Sequence, residues 1–151
     1  MQRTSYGDWA CSIARTLDVI GEPWSPLILR DVYVGINRFD QIQQDLGISR
    51  KVLTIRLKWL VEQGVLERVE YSTHPLRYEY TLTEKGGELC DLLLVMARWG
   101  DRWLAGEAGP PVLTRHHACG KISHVELICS ECGEPMHAMD ADPLPGPGAR
   151  P

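Results

Sequence analysis

Residues 116–137 read HHACGKISHVELICSECGEPMH and carry most of the metal-type chemistry in this chain. Two matching motifs sit inside the stretch, His116-x-x-Cys119-Gly120 and Cys129-x-x-Cys132-Gly133. Thiolate and imidazole donors suit a tetrahedral zinc ion, and a gap of two residues lets both ligands of a motif bend round one metal. The glycine that follows each pair relieves the tight turn. His116 is the first choice as fourth ligand beside Cys119, Cys129 and Cys132, with His117 and His137 as fallbacks. The intervening HVELI reads as a strand, so residues 115–139 are expected to form a small zinc ribbon. Protein fills all four positions, which points to a structural ion. Metal would also supply folding energy that so short a segment lacks. The competing reading is a pair of thiols without metal, or a reversible disulfide between Cys129 and Cys132.

A second constellation is basic. Between positions 50 and 77 stand Arg50, Lys51, Arg56, Lys58, Arg68 and Arg77 against Glu62, Glu67 and Glu70, whereas acids outnumber bases from Ala105 onward. The net charge of −4 therefore hides a locally cationic segment of the kind a polyanion would meet. If Leu53, Leu57 and Leu60 face a core, helical spacing turns Arg50, Lys51, Thr54, Ile55 and Lys58 outward. Arg50 and Lys51 are candidates for guanine edges, Thr54 and Ile55 for a thymine methyl. Ser49 and Lys58 suit phosphates. Arg56 lies between the two faces and either grips a phosphate or pairs with a neighbouring acid. His74 and Arg77, on the loop Ser72–Arg77, could reach a minor groove or backbone. For all of these the bland alternative is a solvated face.

The elements that would position this face are legible around it. A helix ends at Leu46-Gly47-Ile48, where glycine can take the left-handed conformation, and Ser49 caps a second helix that Gly64 stops. Strands are expected over Val65–Tyr71 and Arg77–Leu82, the latter alternating Tyr78, Tyr80 and Leu82 with polar residues. Helix, turn, helix and hairpin in that order is a winged helix-turn-helix, whose second helix enters the DNA major groove. Upstream lie a helix from Trp9 to Ile20 and another starting near Ser25-Pro26. Downstream, Thr83–Gly86 reads as cap and turn before a long helix from about Gly87 to Ala105. That helix is apolar on more than one face, a surplus that predicts burial against a second copy. The expected class is mainly α with a β-hairpin wing (α+β). The expected division is 1–105 for DNA binding and dimerisation, 106–114 as linker, 115–139 as ribbon, and 140–151 as a disordered Pro/Gly-rich tail.

At 151 residues with 44% hydrophobic content, the chain can pack one domain and a small appendage. No run approaches the roughly 18 apolar residues of a membrane span, and the first residues lack a signal-peptide centre, so a cytoplasmic protein is expected. Five cysteines, an odd number with three clustered near one end, argue against a disulfide framework. No Ser/His/Asp set or phosphate-cradling glycine loop suggests an enzyme.

The segments CSIARTLDVIGEPWSPLILRD, NRFDQIQQDLGISRKVLTIRLKWLVEQGVLERVEY and YEYTLTEKG, in that order over Cys11–Leu104, resemble the HxlR-type transcriptional regulators of bacteria, relatives of the MarR group. The resemblance spans about two-thirds of the chain. It implies a homodimer, paired through the N-terminal and C-terminal helices (about 9–20 and 87–105), that binds double-stranded operator DNA as repressor or activator. Members usually carry Lys before the tryptophan; here Pro23 precedes Trp24, which alters the start of the second helix and removes a charge. Some members sense oxidants with a cysteine at the position of Cys11, where a helix N-terminus favours thiolate. Nearby Asp8 works against that, and the reading favoured for Cys11 is an unreactive, half-buried thiol, with sensing as the alternative. Cys90 reads as core.

The leading expectation is a sequence-specific dimeric regulator with a structural zinc appendage. Its competitors are a winged-helix and zinc-ribbon adaptor that docks on the transcription machinery, a thiol-based redox-sensing regulator, and a thiol redox enzyme using Cys129 and Cys132, which no surrounding βαβ pattern supports. A cleft between the dimerisation helices and the reading head could hold a small-molecule effector.

Overall fold

The computed structural model describes residues 5–149, in two compact units: one reaching Cys90, the other running from Asp91 to Ala149. The first holds α1 (Ser12–Ile20), α2 (Trp24–Tyr33), α3 (Phe39–Leu46), α4 (Arg50–Glu62), β1 (Leu66–Thr73) and β2 (Leu76–Leu82). Helix α5 (Glu84–Leu104) starts there and continues into the second unit. The α+β class and the winged order are as the sequence suggests.

Helix starts depend on which group caps the free N–H groups. Trp9 is not in α1: its N–H bonds the Tyr6 carbonyl in a turn, and Cys11 takes the cap, its sulfur accepting from the Ala14 N–H at 3.5 Å. Ser25 does not cap α2 either. The Glu22 carboxylate accepts from the N–H groups of Trp24 (3.2 Å) and Ser25 (2.6 Å), and Ser25 is buried with its hydroxyl donating to the same carboxylate. An acidic cap also suits the positive end of the helix dipole. The turn between α3 and α4 is as expected: Gly47 has φ +60°, and the Ser49 Oγ accepts from the Val52 N–H at 3.3 Å.

The core of this unit joins Ile28 and Leu29 of α2, Ile42 of α3, Leu53, Leu57 and Leu60 of α4, and Val65 and Leu66 at the foot of the hairpin, all essentially inaccessible. Each removes side-chain area from water worth about 1.5–3 kcal/mol. The Trp59 indole N–H, donating to the Val19 carbonyl at 3.1 Å, ties α4 to α1. The hairpin pairs Leu66 with Leu82 through Thr73 with Leu76, with a bulge between Glu70 and Ser72. The segment before α3 extends this sheet: Arg38 bridges Glu79, and the Tyr80 N–H donates to the Asn37 carbonyl at 2.8 Å. The wing is thereby fixed to the helix-turn-helix.

Thr83 caps as expected, its Oγ1 accepting from the Gly86 N–H at 3.1 Å, but the helix begins at once and takes Gly86 inside it. The reason is close approach. A Cβ on Gly86 would lie 2.2 Å from the Val65 carbonyl oxygen. Gly86→Ala should therefore lower stability by about 1–3 kcal/mol in a denaturant titration, despite alanine's better helix propensity. A stabilised variant would contradict the close approach.

In the second unit, the expected linker carries one 3-10 turn, Gly106–Ala108, and two minimal strands follow, β3 (Thr114–Arg115) and β4 (Ile122–Ser123), paired antiparallel. The HVELI segment is not a strand. Each glycine turn pairs its own flanks instead, Thr114 and Arg115 with Ser123 and Ile122, and Ile128 with Pro135, so residues 124–127 belong to neither pairing. After the short turn Ala138–Asp140, residues 141–149 have no helix or strand; the last two residues of the tail expected to be disordered lie outside the described range. No helix among the described residues is long and apolar enough to cross a membrane.

Candidate nucleic-acid interface and thiol sites

Helix α4 buries Leu53, Leu57 and Leu60 and leaves Arg50, Lys51, Thr54, Ile55 and Lys58 exposed, the division that helical spacing requires. Arg50 rests over the Phe39 ring, 4.7 Å from its centroid, with Nη1 3.5 Å from Asp40. The Thr54 hydroxyl donates to the Arg50 carbonyl at 2.8 Å, so its methyl is the group left for an apolar contact. Ile55 is 51% exposed, an apolar side chain with no packing role in this unit. Lys58 sits 3.7 Å from Glu62, a weak exposed pair that a phosphate could displace. Ser49 spends its oxygen on the helix cap but keeps its proton to donate.

Arg56 departs from this face. It is half-buried, with Nε 3.2 Å from the Glu22 carboxylate, the acid that caps α2. Of the two roles open to it, phosphate grip or acid pairing, the structure gives the second. Its position one step round from Ile55 allows this, because Glu22 arrives from another element.

The wing tip carries exposed His74 and Arg77, with His74 Nδ1 3.0 Å from the Thr73 hydroxyl. Beside it lie residues that sequence reasoning missed. The Arg38 guanidinium stacks on Tyr71 at 4.2 Å, and Arg68 on Tyr78 at 4.3 Å. Together with Arg50 and Arg77 they line an open cleft of about 520 Å³ between the start of α3 and the hairpin. Stacked guanidinium groups are held flat while keeping their hydrogen-bond donors, the form in which arginine best meets phosphate. Period-two alternation puts Arg68 on the hairpin face of Tyr78 and Tyr80, a signal available in the sequence. Arg38 could be found only through its bridge to Glu79. Burial raises the pKa of Tyr80, against a smaller opposing pull from Arg68, so its phenol stays neutral.

The two C-terminal motifs share one backbone. The His116 N–H donates to Lys121 and the Gly120 N–H to His116; in the same way the Cys129 N–H donates to Glu134 and the Gly133 N–H to Cys129. Gly120 and Gly133 both take positive φ, +66° and +74°. Inside the first turn, Cys119 Sγ lies 3.6 Å from His116 Nδ1. Inside the second, hydrogen bonds to Cys129 from the backbone N–H of Cys132, then that of Glu131, then the Cys132 thiol, hold the Cys129 pKa below the usual thiol value. Among the described residues, no three His, Cys, Asp or Glu side chains converge as a ready metal cage. His117 is exposed at the second position of the first turn, and His137 is exposed outside both turns. Cys11 is exposed at the α1 cap, Cys90 is buried as expected, and no disulfide joins any of the five cysteines.

This arrangement has relatives. A Mycobacterium tuberculosis protein, the uncharacterized HTH-type transcriptional regulator Rv3095, is 46% identical over 137 residues, 91% of this chain and 87% of that one. Among solved structures, PA1607, a candidate transcription factor, superposes with TM-score 0.82 at 34% identity, covering 93% of this chain and 99% of its own. The reduced form of the transcriptional regulator YodB from Bacillus subtilis superposes with TM-score 0.54 at 32% identity over 66% of this chain and 97% of its own. The HxlR-like helix-turn-helix family matches residues 19–108, the stretch that contains α2 through α5, and the chain belongs to that family.

Proposed function

We propose that this protein is a cytoplasmic, sequence-specific transcriptional regulator that binds operator DNA as a homodimer and carries a structural zinc ion in its C-terminal extension. One observation carries the DNA reading: the solvent-facing first turns of α4 present Arg50, Lys51, Thr54 and Ile55 beside a cleft lined by four arginines. The first turns of a recognition helix are those that reach base edges. Arg50 and Lys51 read guanine, Thr54 and Ile55 meet thymine methyls, and Ser49, Lys58, Arg38, Arg68, His74 and Arg77 hold sugar and phosphate. Binding titrations on the preferred duplex test these roles. Arg50→Ala should cost about 1–3 kcal/mol and relax base preference, while Lys58→Ala should weaken all sequences evenly and reduce the salt slope by about 1. Equal, sequence-blind losses in both variants would favour the adaptor reading.

Dimerisation rests on the apolar residues that α1 and α5 leave in solvent: Ile13 and Leu17 on the first, Leu92, Met96, Trp99 and Trp103 on the second. A second reading, thiol sensing, is favoured by the exposure of Cys11 and by the N–H of Ala14 that its sulfur accepts. Oxidant treatment should then change operator affinity of the wild type and leave Cys11→Ser unaffected.

A further inference from the structure

Given the zinc proposed above, we infer that its ligands are His116, Cys119, Cys129 and Cys132, and that the ion ties down the segment between the two turns where it seats on α5. The ligand set follows from the duplicated backbone. The two turns repeat the same pair of hydrogen bonds, end in the same positive-φ glycine and pair the same flanking positions, Arg115 with Ile122 and Ile128 with Pro135. Under this repeat His116 corresponds to Cys129, and Cys119 to Cys132. A turn of this form aims its first and fourth side chains toward one point, and the geometry is spent twice here on three thiols and one imidazole, a donor set that suits zinc. His117 corresponds to Ser130, a position that supplies no ligand in the second turn, and His137 lies outside both turns.

The seat lies between the two half-sites. The Arg98 guanidinium, on α5, donates to the Val125 carbonyl at 2.6 Å and pairs with Glu126 at 2.9 Å, while His124 lies 2.7 Å from the other Glu126 oxygen. The Arg98 hydrogen bond, then that of His124, holds the Glu126 carboxylate below its usual pKa. Val125 and Leu127 border a small hollow with Val95, Trp99 and Trp103. These contacts are mostly exposed and individually weak. A metal closing both ends of the segment shortens the free loop, so less entropy is lost in holding it on the helix.

The test uses the full purified chain. Elemental analysis after dialysis against a mild chelator should find about one zinc per wild-type chain. His116→Ala, Cys119→Ser, Cys129→Ser and Cys132→Ser should each lose it, while His117→Ala and His137→Ala keep it. Cobalt substituted into the wild type, where no variant can misfold, should show tetrahedral ligand-field bands with charge transfer from three thiolates. Proteolytic cleavage within residues 124–127 should speed up by about tenfold on metal removal. Zinc retained in His116→Ala but lost in His137→Ala, or a cobalt spectrum of two thiolates, would overturn the ligand set and leave the zinc reading standing. A wild type that binds no zinc would overturn both. Cleavage unchanged by chelation would overturn the tie to α5.

Discussion

A chain carrying Leu92→Glu and Met96→Glu should be a folded monomer that has lost most of its operator affinity. Leu92, Met96, Trp99 and Trp103 are 41%, 52%, 60% and 62% exposed and recur at the three- and four-residue spacing of one helical stripe. Monomeric proteins seldom leave contiguous apolar patches beyond a few hundred Å². Burying such a stripe against its symmetry mate yields roughly 25 cal/mol for each Å² removed from water. Two glutamates on each copy would face each other across the dyad, and unpaired buried charge costs several kcal/mol. Neither residue contacts the seat of the C-terminal segment, which uses Val95, Arg98 and Trp99. The expected result is a halved mass in analytical ultracentrifugation, unchanged circular dichroism, and operator affinity lower by roughly 10² or more, since each monomer then binds a single half-site. A variant that stays dimeric at micromolar concentration would place the interface elsewhere.

The second large effect is on stability. Leu57→Ala should cost about 2–5 kcal/mol, because Leu57 is 1% exposed at the centre of the layer that α2, α3 and α4 share. Against a total of about 5–15 kcal/mol for a domain, that moves the melting temperature by roughly 10 °C or more. Ile55→Ala, two residues away on the opposite face, should change stability by less than about 0.5 kcal/mol while weakening DNA binding. The pair separates folding from reading on one helix. Calorimetry that found both variants equally stable would contradict the assignment of faces.

The contrast between these neighbours also explains what the sequence could tell. The centre of the fold was legible because its signals are local: Gly47 and Ser49 set the turn and cap, and Leu53, Leu57 and Leu60 mark the buried side by spacing alone. Where the deciding partner comes from elsewhere in the chain, local reading fails. Ser25 looks like a cap, but Glu22 does the capping and also holds Arg56 away from the exposed face. Gly86 looks like the end of a turn, but it is glycine because the Val65 carbonyl leaves no room for a side chain. HVELI has strand composition, yet each turn pairs its own flanks, and of this segment only Ile128 bridges a partner, Pro135. The arginine-lined cleft depends on Arg38 being brought beside the hairpin by its bridge to Glu79, a contact that no periodicity reports.

On the proposed function, the exposed face of α4 reads base sequence. The direct measurement selects bound duplexes from a randomised pool with the full chain, then compares the enriched duplex with a scrambled one across a salt series. The expected result is an enriched inverted repeat with half-sites about one helical turn apart, preferred by about 10³ or more at physiological salt, with affinity falling steeply as salt rises. No enriched motif, and equal weak binding to both duplexes, would contradict it.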